Sequence, residues 1–275
     1  MPRRTRRSLL VEAALGAVAV VAALGVRATS RASLPAAPAV RTGPLARAAV
    51  AFASAPNAAY LTPKSAAELR LDSTVAALAP AVRVLSHPQA LEDAVRSYVA
   101  YRAAHPETKP YLYFVDYGLP STTPRGYVFD MAARQVVEGP FTVAHGRGSS
   151  ENQFGVPTRF SNAFGSASTS LGLYVARELY AFRGHAGGGT YASLGMRLDG
   201  VSEGFNDAAL ARRVVAHGAP YVTDTRAGRS EGCPALEPSR AERLLPKLAN
   251  GGLVFLFAPD PAWMTGDPWV RAPLG

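Results

Sequence analysis

The chain has 275 residues, 48% of them hydrophobic, with 29 Lys and Arg against 20 Asp and Glu, a formal net charge of +9 and a single cysteine. Six arginines and one glutamate fall within the first 32 residues, so most of the excess charge belongs to the start of the chain and gives no argument for a nucleic-acid partner. One cysteine forms no internal disulfide, and the fold must stand on a hydrophobic core, for which about 200 residues after the leader and spacer are sufficient.

The first residues, Met1-Pro-Arg-Arg-Thr-Arg-Arg-Ser-Leu-Leu, form a basic segment followed by an apolar run to about Val26. This pattern is expected of a signal peptide or uncleaved signal anchor over 1–28, with Arg6-Arg7 also fitting a twin-arginine export signal. Export to the periplasm or cell envelope of a bacterium is the matching expectation, and an uncleaved anchor is the sole membrane contact expected. Residues 29–75, rich in Ala and Pro, read as a mostly irregular spacer, with a short helix over Ala66 to Leu78. A catalytic domain is expected over 76–275.

Within that domain, Ser86-His87-Pro88 opens an amphipathic helix with Leu91, Val95, Tyr98 and Val99 on one face, ending before Pro106. Short β-favouring runs follow at Tyr111–Asp116, Gly126–Asp130, Gln135–Val137 and Phe141–His145. Asp116 and Asp130 end strands where aspartate commonly starts a turn, which disfavours a glycosidase carboxylate pair. From His145 to Gly200 the chain is rich in Gly and Ser, with a brief strand at Gly172–Arg177. Gly184-His185-Ala-Gly-Gly-Gly-Thr190 lacks the Gly-Lys-Ser/Thr ending of a phosphate loop and reads as a turn or a lid. His145, His185 and His217 lack metal-ligand spacing, so no metal and no cofactor is expected.

Asn206-Asp207 is expected to cap a short helix through Ala211 that leads to a strand ending at His217-Gly218. Arg229-Ser230-Glu231-Gly232-Cys233-Pro234-Ala235 follows, a polar turn around the lone thiol. Ser239 and Glu242 form a capping box for a helix to about Leu248, ahead of a buried strand Leu253–Phe257. Trp263 and Trp269 lie in a proline-rich tail expected to pack on the surface. A lone cysteine is more often a small buried hydrophobe than a nucleophile. Here the polar, Gly-containing turn favours chemistry: a thiol needs a base to become a thiolate, and His217 is the candidate. Gly232, lacking Cβ, lets the backbone turn sharply and aim N–H groups at one point.

His217-Gly218 followed by Gly228-Arg229-Ser230-Glu231-Gly232-Cys233-Pro234-Ala235 resembles the active-site signature of L,D-transpeptidases of the YkuD superfamily, in the murein L,D-transpeptidase branch. The similarity extends upstream through His145-Gly146-Arg147-Gly148, Phe160-Ser161-Asn162, Ser170-Leu171-Gly172 and Gly204-Phe205-Asn206-Asp207, about residues 110 to 258. Glu231 stands where the commonest superfamily pattern has histidine. The resemblance implies a mainly β fold with a few helices (α+β), a partly open barrel or sandwich. It implies Cys233 as nucleophile, His217 as base, the Gly232 and Cys233 N–H groups as an oxyanion hole, and Ser230 and Gly218 as parts of the same machinery. His145, Arg229 and Tyr180 are taken as substrate-binding residues, Arg229 as the donor to a carboxylate. Peptidoglycan stem peptides are the implied partners. An L,D-carboxypeptidase using water as acceptor, a sortase-like enzyme and a non-catalytic wall-binding module remain alternatives. The sequence leaves the oligomeric state open.

Overall fold

The computed structural model describes residues 63–275 apart from Arg83; the expected leader and most of the spacer lie outside these residues. The described part begins with helix α1, Ala66–Leu78, at the bounds expected for the short helix. Ser65 and Glu68 cap it reciprocally: the Glu68 N–H donates to Ser65 Oγ at 3.1 Å, and the Ser65 N–H donates to Glu68 Oε2 at 2.6 Å. Its buried face, Ala67, Leu71, Thr74 and Leu78, packs on α2, Ala90–Ala104, so ordered packing begins before residue 76. Helix α2 starts later than Ser86. That serine is drawn instead to Asp116, to which its hydroxyl and N–H donate at 2.6 and 2.7 Å, leaving Gln89 as an N-cap without a side-chain bond.

Among the described residues the fold is mainly β with four α-helices. One curled eight-stranded sheet runs in the order β3-β2-β1-β10-β5-β6-β7-β9, built from β1 (Tyr111–Asp116), β2 (Gly126–Asp130), β3 (Gln135–Phe141), β5 (Gly172–Ala186), β6 (Gly189–Gly200), β7 (Val215–Gly218), β9 (Ala235–Leu236) and β10 (Leu253–Phe257). The pairs β1–β10 and β7–β9 are parallel and the others antiparallel. Two two-residue strands, β4 (His145–Gly146) and β8 (Arg229–Ser230), pair separately and in parallel. Strands β1 and β10 are buried almost throughout, which explains their near-continuous apolar sequences.

Where the sequence suggests a brief strand at Gly172, the structure has a 15-residue one. Strand β10 pairs with β5 only over Gly172–Val175, and β7 pairs with β6 only over Gly195–Arg197. Beyond those points β5 and β6 pair with each other alone, as a ribbon that turns at Gly187 and Gly188, both at positive φ. The expected phosphate-loop look-alike is this hairpin tip.

Three other expectations change. Residues 203–213 form successive turns in place of a helix. Helix α3, Pro238–Leu248, is capped by Glu237, whose carboxylate accepts the N–H groups of Ser239 and Arg240, and not by Ser239. Trp263, in α4 (Pro261–Gly266), is buried against Phe255 and Phe257, and its Nε1 donates to Asp267 at 2.9 Å. Proline-rich flanks disguise it as a surface tail. Replacing Trp263 by Ala opens a cavity and leaves Asp267 Oδ2 without its indole donor, so a loss of about 3–5 kcal/mol is expected in urea denaturation, with the midpoint falling accordingly.

Candidate active site

The parallel β7–β9 pair sets the site. His217 is in register with Ala235, which places Cys233, two residues earlier, level with Val215. His217 is buried at the end of β7, and its Nδ1 lies 3.0 Å from the Gly218 carbonyl oxygen. A carbonyl accepts only, so Nδ1 carries the proton and Nε2 is the free basic nitrogen. Burial lowers the His217 pKa to about 4, against a smaller raising effect of the Gly218 hydrogen bond. Gly218 itself fits where little else does: a Cβ there would lie 2.4 Å from Ser193 Oγ and 2.9 Å from the Pro238 Cα of α3.

The imidazole stacks on Phe182 at 4.2 Å between centroids. That contact reaches across a whole strand. In register, Tyr180 faces Gly195 and Gly195 faces His217. A Cβ on Gly195 would sit 2.9 Å from both Phe182 Cβ and Tyr180 Cε1, so only glycine lets these rings lie over β6. Tyr191 adds a second ring 6.5 Å from His217, with its hydroxyl 3.5 Å from Nδ1, and meets Tyr221 edge-on. Tyr180 holds the Arg197 guanidinium over its ring at 4.7 Å. Sequence reasoning missed Phe182, Tyr191 and Gly195; the alternation Tyr180-x-Phe182 on one strand face was the available signal.

The Cys233 loop is clamped from within and from below. The Gly232 N–H donates to Ser230 Oγ at 3.1 Å, and the Ser230 hydroxyl donates to the Cys233 carbonyl at 2.6 Å. Gly232 has φ +119, and a Cβ would lie 2.8 Å from the Ser168 carbonyl oxygen. The bond to Ser230 engages the Gly232 N–H expected to contribute to the oxyanion hole. The Cys233 N–H donates no hydrogen bond among the described residues.

Arg212, also missed from sequence, braces the floor. Its guanidinium donates to Ser161 O (2.8 Å), Ser168 O (2.9 Å), Ser166 Oγ (3.2 Å) and Ser170 Oγ (3.3 Å). Cys233 remains partly accessible, yet desolvation pushes its thiol up to about 11, opposed by a Val215 backbone hydrogen bond and the Arg212 charge. No hydrogen bond joins Cys233 and His217 among the described residues. Such contacts commonly tighten only when substrate arrives.

Two expected substrate contacts take other positions. His145 is fully buried, with Nδ1 accepting from Arg125 Nη2 at 3.0 Å, and so supports the site from behind without lining a cleft. Burial, Arg125 and Arg229 lower its pKa to about 3. Arg229 spends Nη1 on the carbonyls of Ser150 and Glu151 at 3.0 and 3.2 Å. Glu231 pairs with Arg147 at 2.7 Å between exposed side chains. The thiol opens on a cavity of about 310 Å³ lined by Arg147, Arg212, Arg213 and Glu231, among others. Larger cavities of about 460 and 760 Å³, along α2, reach neither Cys233 nor His217.

Residues 84–257 match the L,D-transpeptidase catalytic domain family. The chain belongs to this family. Its structure is similar to an L,D-transpeptidase from Mycobacterium smegmatis (14% identity, 54% of this chain and 59% of that one, TM-score 0.32). It is also similar to the Ldtfm–avibactam carbamoyl enzyme (15%, 56% and 51%, TM-score 0.35) and to Bd1075 of Bdellovibrio bacteriovorus (14%, 55% and 49%, TM-score 0.34). The chain spans about half the length of these solved structures. No curated protein matches it. Among the described residues, no helix is long and apolar enough to cross a membrane.

With the thiol raised and the imidazole lowered, both groups are neutral at pH 7. Alkylation of free Cys233 by iodoacetamide is therefore expected to rise about tenfold per pH unit from pH 7 to 10 without a plateau. A plateau near pH 6 to 7 would reveal a preformed thiolate–imidazolium pair.

Proposed function

We propose that the chain is a cysteine acyltransferase acting on peptidoglycan stem peptides. Members of the family act on peptidoglycan peptides, and the reading for this chain rests on one observation above all. The lone thiol of the protein sits in a clamped turn on the strand edge beside a buried histidine whose Nδ1 is bound to a carbonyl, leaving Nε2 basic.

In this reading a bound peptide displaces water from the cleft and brings Cys233 toward His217. Nε2 takes the thiol proton, the thiolate attacks the peptide carbonyl, and the Cys233 N–H donates to the developing oxyanion. The imidazolium then protonates the departing amine, the C–N bond breaks and a thioester remains on Cys233. An amine acceptor attacks the thioester and returns the enzyme with a new amide; water in its place makes the reaction a carboxypeptidase cleavage. The rings of Phe182, Tyr191 and Tyr180 flank the His217 side, where an extended peptide would lie along the β5–β6 ribbon. Export of the catalytic domain from a basic, apolar leader belongs to the same proposal.

The test is intact-mass analysis after incubation with a tetrapeptide muropeptide or a carbapenem. One acyl adduct is expected on the wild-type protein and none on Cys233→Ala. In His217→Ala its formation should slow by about 10²–10⁴-fold. No adduct and no released D-alanine would favour a non-catalytic wall-binding module. Incorporation of an added amine separates transpeptidation from hydrolysis.

A further inference from the structure

The cavity in front of Cys233 carries charge that the proton transfers do not use. Three guanidiniums line it against one carboxylate. Their situations differ. Arg147 is engaged by Glu231, and Arg212 is consumed by its four acceptors on the cavity floor. The Arg213 guanidinium makes no hydrogen bond or ion pair among the described residues, although its side chain lines the same cavity. Its backbone is also out of the ordinary. Arg213 has φ 61 and closes a turn in which its N–H donates to Leu210 O at 3.1 Å and the Val214 N–H to Ala209 O at 2.9 Å. Glycine or asparagine is the usual occupant of such a position, because an L side chain is strained there. An exposed arginine on a left-handed backbone, unpartnered among the described residues and lining the cavity of the lone thiol, is a cation available to an arriving anion.

We infer that Arg213, with Arg212 and Arg147 around it, seats a carboxylate of the acyl-donor peptide next to the carbonyl that Cys233 attacks. The inference rests on Cys233 acting on peptides, and it moves to Arg213 the role expected of Arg229, whose Nη1 is engaged by the Ser150 and Glu151 carbonyls and which does not line the cavity. A planar guanidinium offers a carboxylate two parallel hydrogen bonds and fixes its direction as well as its charge. A donor peptide carries a terminal carboxylate on its leaving residue, and one whose acylated residue is acidic carries a second near the reacting carbonyl.

The first test needs no turnover. Cys233 is the sole cysteine of the chain, so iodoacetate and iodoacetamide report on it alone, by the same chemistry and differing in charge. A cationic seat favours the anion. Arg213→Asn, which tolerates the left-handed backbone, is expected to lower the iodoacetate-to-iodoacetamide rate ratio by about fivefold, and Arg213→Lys to keep most of it. High salt should erode the wild-type preference. An unchanged ratio in Arg213→Asn, or a thiol that neither reagent reaches, overturns the inference. The second test uses donor peptides amidated at one carboxylate or the other. Arg213→Asn should raise KM about tenfold with a much smaller effect on kcat, and the penalty should vanish for the peptide lacking the carboxylate that Arg213 holds. The same penalty on every peptide would overturn the assignment. If no peptide acylates Cys233, the peptide reading fails while the alkylation ratio still decides whether the anion seat exists.

Discussion

The Ser230 hydroxyl is the contact on which the geometry of the thiol depends. It accepts from the Gly232 N–H and donates to the Cys233 carbonyl, using one small side chain to satisfy two main-chain groups of the turn that carries the thiol. The turn is possible only because Gly232 occupies φ +119, and it rests on the Ser168 carbonyl that Arg212 also holds. Behind it, strand β4 pairs with β8, and His145 of β4 is fixed by the buried Arg125, whose Nε and Nη2 donate to the Val143 carbonyl at 3.2 and 2.7 Å. Arg125 also lies 4.7 Å over the Tyr117 ring. The thiol is thus positioned through layered polar contacts in which most of the buried groups are paired, where an unmade hydrogen bond would cost about 1–3 kcal/mol; His145 Nε2 is buried without a partner among the described residues.

Burial decides the resting electrostatics. For both Cys233 and His217 desolvation is the largest influence, and it favours the neutral form of each. The opposing contributions, the Arg212 charge on the thiol and the Gly218 carbonyl on the imidazole, are smaller. A neutral pair is consistent with the absence of a hydrogen bond between them: nothing pulls the two together until a polarised carbonyl gives the negative charge somewhere to go. The stacked Phe182 ring contributes to the same state by excluding water from one face of the imidazole.

Much of the fold was legible because local rules and tertiary packing agree. The strands Tyr111–Asp116, Gly126–Asp130 and Leu253–Phe257 form with the residues that their apolar runs suggest. The misreadings share a physical origin in long-range partners. Ser86 looks like a helix cap but answers to Asp116, thirty residues away. Trp263 hides among prolines and completes the core against β10. The Cys233 turn and the His217 strand end stand out because glycine, cysteine and histidine in a polar turn are chemically conspicuous. Phe182 and Gly195 are ordinary residues whose importance arises only when β5, β6 and β7 lie side by side, and Arg212 only when its turn meets the serine-rich loop over residues 161–170. Arg229 shows the converse, a conspicuous cation near the thiol whose Nη1 is turned to the Ser150 and Glu151 carbonyls.

The result is a thiol and an imidazole with chemically unlike surroundings. The imidazole faces aromatic rings from a ribbon that extends past the sheet, whereas the thiol opens on guanidiniums from the turns after Gly204 and the loop after His145. Flat rings favour an extended peptide chain and discriminate little between side chains. Guanidiniums demand an anion at a defined point and are strongest where solvent is scarce. In the proposed reaction the two sides would do different work on a bound peptide: the ribbon would supply contact area, and the cationic cavity would fix which carbonyl stops above the sulfur. Orientation of that kind is what a neutral thiol would need in that reaction, since its proton would leave only when Nε2, sulfur and carbonyl are brought together.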